Sequence, residues 1–199
     1  MQTILYPYHG NLYVNLTNRC PCRCTFCLRQ NRDEMDGSGS LWLDHEPTAE
    51  EIKAEFKKFD LASFGELVFC GFGEPTERLD AVVEITKYVK ENYDIPVRIN
   101  TNGLSDLIHG RDTAADFAGI DTVSISLNTP DREKYLSLTR SRFGIESFDA
   151  MLRFAGNVKN YVSKVVLSTV GTTITPEEEE RCARICEELG VTYRIRPVE

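Results

Sequence analysis

Apolar and polar positions along the chain alternate with a period of two in six short stretches and recur every three to four residues between them. In residues 10–16, Leu12, Val14 and Leu16 fall on one face and Tyr13 and Asn15 on the other, with Thr17 continuing the second set. Further strands are expected at 66–70, 96–100, 120–128, 162–170 and 191–195. Helices are expected between them. Thr48 with Glu51 forms a capping box ahead of a stripe of Ile52, Phe56 and Phe59. Thr76 reads as the cap of a helix carrying Leu79, Val82, Val83, Thr86 and Val89. A broken helical stretch, 104–117, is interrupted at Gly110, and Thr129-Pro130 reads as a cap followed by an N1 proline. After a turn at Gly144, Ile145, Phe148, Leu152 and Ala155 mark another helix. Thr175, Pro176 and Glu178 open the last one, which stops at Gly190. Its stripe of Cys182, Ile185, Cys186 and Leu189 makes those two cysteines core residues.

Strands that alternate with helices predict right-handed crossovers and a parallel sheet. A flat, doubly wound sheet and a curled one share this periodicity. The polar faces of the strands favour the curled form. Thr122, Ser124, Ser126 and Asn128 oppose Val123, Ile125 and Leu127, Arg98 and Asn100 oppose Ile95, Val97 and Ile99, and Arg194 and Arg196 oppose Tyr193 and Ile195. A parallel sheet covered by helices on both sides is apolar on both sides. A polar face on several strands predicts a hydrated lumen, hence an α/β fold of the partial (β/α)6 barrel type, with parallel strands and open on one side.

The length of 199 residues suits one domain, 1–199. A net charge of −8 argues against a broad nucleic-acid-binding surface. No apolar run is long enough to cross a bilayer and Met1-Gln2-Thr3-Ile4 carries no signal-peptide pattern, so a cytoplasmic location is expected. Seven cysteines, an odd number, do not form a disulfide framework and suit a reducing compartment.

Four of those cysteines crowd into Cys20-Pro21-Cys22-Arg23-Cys24-Thr25-Phe26-Cys27, directly after the first strand. Cys20, Cys24 and Cys27 are spaced so that three thiolates of one tight loop (18–29) reach three corners of an iron-sulfur cube, and the fourth iron is left for a chelating small molecule. Zinc binding and a redox dithiol are the competing readings. Cys22 adds a fourth thiol, and its side chain is expected to point away from the site. The polar segment 30–46, containing Asp36-Gly37-Ser38-Gly39-Ser40, reads as a mobile loop that Trp42 anchors. The second strand closes in Cys70-Gly71-Phe72-Gly73-Glu74-Pro75. Its glycines permit close backbone approach, and Glu74 can offset an ammonium.

Cys-x3-Cys-x2-Cys with an aromatic before the last cysteine resembles the radical S-adenosylmethionine (SAM) superfamily, and the chain is similar to the small members encoded beside TatD-type nucleases. By size it also resembles glycyl-radical-enzyme activases and 7-carboxy-7-deazaguanine synthase. The resemblance implies the same partial barrel, with a [4Fe-4S] cluster on Cys20, Cys24 and Cys27 and SAM on its free iron. Gly71, Phe72, Gly73 and Glu74 match the family's Gly-Gly-Glu-Pro element, which holds the amino group of SAM, with Phe72 in place of a glycine. Asn100 and Thr101 match a Thr-Asn-Gly region that contacts cofactor or substrate. Ser126 and Asn128 match ribose-contacting positions, and Phe26 the aromatic near adenine. By strand parity Arg98 and Arg194 face the lumen, where they can neutralise SAM's carboxylate or an anionic substrate.

The implied activity is reductive cleavage of SAM to a 5′-deoxyadenosyl radical that abstracts hydrogen from a small-molecule or peptide substrate, with an electron donor such as flavodoxin or ferredoxin. The three histidines are given no catalytic role, and no auxiliary cluster domain is expected after the sixth strand. An activase that modifies a glycyl-radical enzyme, a non-catalytic [4Fe-4S] electron carrier or redox sensor, and a zinc-stabilised binding module are the alternatives.

Overall fold

The computed structural model describes residues 2–35 and 37–197; Asp36 of the expected mobile loop and the last two residues of the expected domain lie outside the described residues. One sheet runs through the molecule: β1 (Leu5–Tyr8), β2 (Asn11–Val14), β3 (Leu67–Phe69), β4 (Val97–Thr101), β5 (Thr122–Ser126), β6 (Lys164–Val170) and β7 (Thr192–Arg196). Strand order equals chain order, and β2 to β7 pair parallel. A doubly wound sheet reverses its strand order near the middle. This one never does, which settles the curled alternative.

β1 was absent from the expected set. It pairs antiparallel with β2 through His9 (φ 46°) and Gly10 (φ 75°), a two-residue turn with both residues left-handed. Pro7 conceals the strand in the sequence, yet it is tolerated because β1 is an edge. The all-parallel expectation therefore holds for six strands of seven.

The helices are α1 (Ala49–Phe56), α2 (Leu79–Asn92), α3 (Ser105–His109), α4 (Arg132–Thr139), α5 (Glu146–Val158) and α6 (Pro176–Leu189). They cover the apolar face of the sheet. Leu12, Val14, Leu67, Phe69, Val97, Ile99, Val123, Ile125 and Leu167 have no exposed surface. Burial of each such side chain stabilises by about 1.5–3 kcal/mol. Cys182 and Cys186 are buried in this core, as their helical spacing predicts.

The capping boxes at Thr48 and Thr175 form, and Gly190 ends α6 at φ 68°. Two expected caps are replaced by neighbours. Asp131, not Thr129, caps α4, because its side chain accepts from the Lys134 N–H. Thr76 caps nothing. Glu74 accepts the Thr76 N–H at the head of a 3₁₀ turn, Pro75–Arg78, that leads into α2. Val83 and Ile145, assigned to buried stripes, are exposed, and Met151 and Phe154 join the expected Phe148 and Ala155 on the buried face of α5.

The opposite face of the sheet is polar in layers. Asn100 aligns with Ser124, Val166 and Thr192, and one layer higher Ser126 aligns with Ser168 and Arg194. Segment 30–46 is tied down over the β1–β2 side of this face. Met35 and Leu41 bury with Tyr6 and Phe72, Trp42 meets the Phe72 ring edge to face, and Asn15 and Asn18 donate to the Leu41 and Leu43 carbonyls.

Candidate active site

β2 leaves the sheet at Val14, and residues 15–19 cross the end of β3 before the cysteine loop begins. This crossing explains the two glycines. A Cβ on Gly71 would lie 2.1 Å from Asn15 Oδ1, and one on Gly73 would lie 2.2 Å from the Thr17 carbonyl oxygen. The Glu74 N–H donates to the Arg19 carbonyl at 2.8 Å and closes the junction. The close approach expected at these glycines is thus made by the chain itself.

Two further anchors fix the loop. The last carbonyls of a helix have no partner within it. Here those of α4 accept from the loop, with Arg23 N–H to the Thr139 oxygen and Thr25 N–H to the Leu138 oxygen, both 2.9 Å. The Arg29 guanidinium donates to the carbonyls of Asn18, Cys22 and Phe72 at 3.2–3.3 Å. Sequence reading missed Arg29, whose only signal was its place two residues after Cys27.

A cavity of about 220 Å³ opens beside the loop. Cys20, Cys22 and Cys24 line it, with Phe26 half exposed at its edge. Cys22 does not point away as expected. It is buried between the other two thiols, and its hydrogen bonds to Cys20 and Cys24 push its own pKa up and theirs down. Asn102 Nδ2 also approaches the Cys22 sulfur at 3.9 Å. Cys27 lies outside the cavity wall, its pKa raised by burial.

Glu74 faces the thiols and is 4% exposed. Burial raises its pKa, and four donors oppose that rise. Oε1 accepts from Thr76 N (3.2 Å), Thr76 Oγ1 (2.8 Å) and Thr101 Oγ1 (2.6 Å), whereas Oε2 accepts, among the described residues, only from Asn102 N (2.8 Å). Each carboxylate oxygen carries two lone pairs, so Oε2, with one donor among the described residues, keeps room for one more. Thr101 is therefore occupied in holding Glu74.

Asn100, Ser126, Asn128 and Arg194 line the cavity where expected, and Asn128 takes a left-handed backbone (φ 64°). Ser168 and Tyr135 join them without having been singled out. Gly71, Phe72 and Gly73 lie outside the lining. For Phe72 the reason is its burial in the aromatic cluster under segment 30–46. Arg98 is neutralised by Glu66 at 2.8 Å and donates to Asn100 at 2.7 Å. It borders a second hollow of about 370 Å³, with Lys164, which meets the first at Ser124 and Arg194. His9, His45 and His109 line neither hollow.

The donor set suits a cluster. Thiolates are the ligating form of cysteine; Cys20 and Cys24 are shifted towards it by Cys22, whereas burial shifts Cys27 away from it. Among the described residues no three His, Cys, Asp or Glu side chains converge as a single metal ion requires. A cubane instead takes each thiolate on a different iron.

An open barrel with a cysteine loop after its first parallel strand and a buried carboxylate after the next defines a class of cofactor enzymes. The pattern of the Radical SAM superfamily matches residues 14–189, and the chain belongs to that superfamily. Its cofactors are a [4Fe-4S] cluster and SAM. Relatives include a GTP 3′,8-cyclase of Corynebacterium glutamicum, 34% identical over 65% of this chain and 34% of the relative. Another, from Rhodococcus opacus, is 31% identical over 93% and 50%. The chain thus spans a third to a half of these proteins. Among solved structures, Streptococcus suis SuiB bound to its precursor peptide SuiA superposes with a TM-score of 0.66 at 19% identity, covering 94% of this chain and 39% of that one. That likeness bears on the fold, a partial barrel.

Proposed function

We propose that Cys20, Cys24 and Cys27 hold the [4Fe-4S] cluster and leave its fourth iron to SAM, and that the enzyme takes hydrogen from an anionic small molecule seated in the lower hollow. The observation that carries this reading is the spare lone pair of buried Glu74 in the cavity that the thiols line. Glu74 receives SAM's ammonium, with the Asn102 N–H and the Thr76 and Thr101 hydroxyls holding the carboxylate in place. Arg194, at the border of the hollows, counters SAM's carboxylate. Ser126 and Asn128 meet the ribose, and Phe26 screens the adenine. Cofactor and cluster together supply a 5′-deoxyadenosyl radical strong enough to cleave a carbon–hydrogen bond. Lys164 and the polar side chains of the strands bind the substrate below. A reductant such as flavodoxin or ferredoxin supplies the electron.

The relatives' name makes GTP the first substrate to test, and a polyanion suits Lys164 and Arg194. The deciding experiment is anaerobic reconstitution followed by addition of SAM and dithionite. Methionine and 5′-deoxyadenosine are expected. A loaded, reduced protein that leaves SAM intact would return the reading to an electron carrier. Deuterium transfer from labelled GTP into 5′-deoxyadenosine then tests the substrate.

A further inference from the structure

Tyr135 has no exposed surface, and its hydroxyl has no hydrogen-bond partner among the described residues. The ring lies in the wall of the cavity that Cys20, Cys22 and Cys24 line. Two contacts hold it there: the Phe148 ring packs against it edge to face at 5.5 Å, and the Thr139 hydroxyl donates to the Tyr135 carbonyl at 2.8 Å. The carbonyls of Leu138 and Thr139, at the end of the same helix, hold the cysteine loop. One rigid element thus sets both the loop and the phenol, so the hydroxyl keeps a fixed position relative to the thiols.

A buried hydroxyl without a partner bears its whole desolvation cost, and native interiors rarely leave one. Because Tyr135 lies in the cavity wall, an acceptor bound in the cavity can satisfy its O–H. Burial holds the phenol's pKa well above its usual value, which keeps the proton on oxygen, and among the charged groups it feels, Cys22 and Cys24 come before Glu74 and Cys20. Cys20, Cys22 and Cys24 line the same cavity wall as this donor.

We propose that Tyr135 donates its O–H to a sulfur of the [4Fe-4S] cluster bound by this loop and thereby raises the cluster's reduction potential. The inference rests on the assignment of the cluster to this loop. A hydrogen bond to sulfur stabilises the more negative, reduced cluster over the oxidised one, and this is one of the levers by which a protein sets such potentials. Tyr135 tunes the cluster through this contact and takes no part in bond breaking.

The test is an electron-paramagnetic-resonance redox titration of reconstituted protein without SAM. Tyr135→Phe should bind the same amount of iron and show a midpoint shifted to more negative potential; an unshifted midpoint overturns the proposal. If that variant fails to load, 3-fluorotyrosine placed at position 135 alone decides. Its phenol is a stronger donor, so the midpoint should move positive relative to wild type, and an unmoved midpoint again overturns the proposal. Wild-type protein that takes up no iron would bring down the cluster assignment, and the hydrogen bond with it. Loaded wild type with variants that leave the potential unchanged brings down the hydrogen bond alone.

Discussion

Glu74 shows how far single residues can be read from sequence. Its place in Gly73-Glu74-Pro75 marked it as a carboxylate for an ammonium. That one oxygen is saturated and the other half free became visible only once Thr76, Thr101 and Asn102 were in place. Glu74→Gln removes the charge and presents an amide where the Asn102 N–H needs an acceptor. A hydrogen bond to a charged group is worth about 1.5–3 kcal/mol, so SAM affinity should fall roughly ten- to hundredfold by equilibrium dialysis. Because burial raises the carboxyl's pKa, SAM affinity in the wild type should begin to fall at a higher pH than an ordinary glutamate would dictate. The sign for stability is opposite. Glu74's contribution is full below the ordinary carboxylate range and is lost as pH rises through its raised value. Cys22 is the instructive failure. Spacing could not show that its thiol lies between Cys20 and Cys24, because side-chain direction in a loop follows backbone turns that carry no period. Cys22→Ala should nonetheless keep iron and SAM cleavage, whereas Cys24→Ala should lose both, as iron analysis and 5′-deoxyadenosine yield will show. A Cys22→Ala protein without iron would move Cys22 into the ligand set.

Elements were legible where they had a period or a cap. Helices opened by Thr48 and Thr175 were readable because capping boxes are local, whereas β1 was hidden by Pro7 and by an edge position that excuses it. Junctions between elements were not legible, since they depend on atoms far apart in sequence. Gly73→Ala tests the most demanding one. The new Cβ would sit 2.2 and 2.6 Å from the carbonyl oxygens of Thr17 and Arg19, backbone atoms that cannot swing aside. Overpacking of this kind costs about 1–3 kcal/mol. The melting temperature should drop by several degrees, and iron content should fall with it as residues 15–19 shift. Arg29→Leu removes the three hydrogen bonds that its guanidinium donates to the carbonyls of Asn18, Cys22 and Phe72 while leaving the core untouched. It should lose iron with a smaller change in melting temperature, and equal losses of both in the two variants would contradict this division.

For the whole molecule the polar faces of the strands carried the information. Alternation in 122–128 and 192–196 predicted a hydrated interior, and that face of the sheet is lined by polar side chains around two hollows. What the sequence could not show is that the interior divides into two hollows that meet at Ser124 and Arg194. Arg98, expected to serve a ligand, instead spends its charge on Glu66. Lys164 in the lower hollow and Arg194 at the border form no ion pair among the described residues, and both are placed to meet an anionic ligand. If the upper hollow is for SAM and the lower one for an anionic substrate, the two cations should fail separately. Arg194→Ala should weaken SAM binding about tenfold and lower the substrate-free production of 5′-deoxyadenosine. Lys164→Ala should leave both unchanged, because it does not border the upper hollow, yet reduce deuterium transfer from the substrate and raise its KM. Its effect should shrink as salt is added, since Lys164 is exposed and its pull on an anion is screened. A Lys164→Ala enzyme that loses SAM and substrate binding together would mean one undivided site, and the substrate would then have to be sought at the mouth near Phe26.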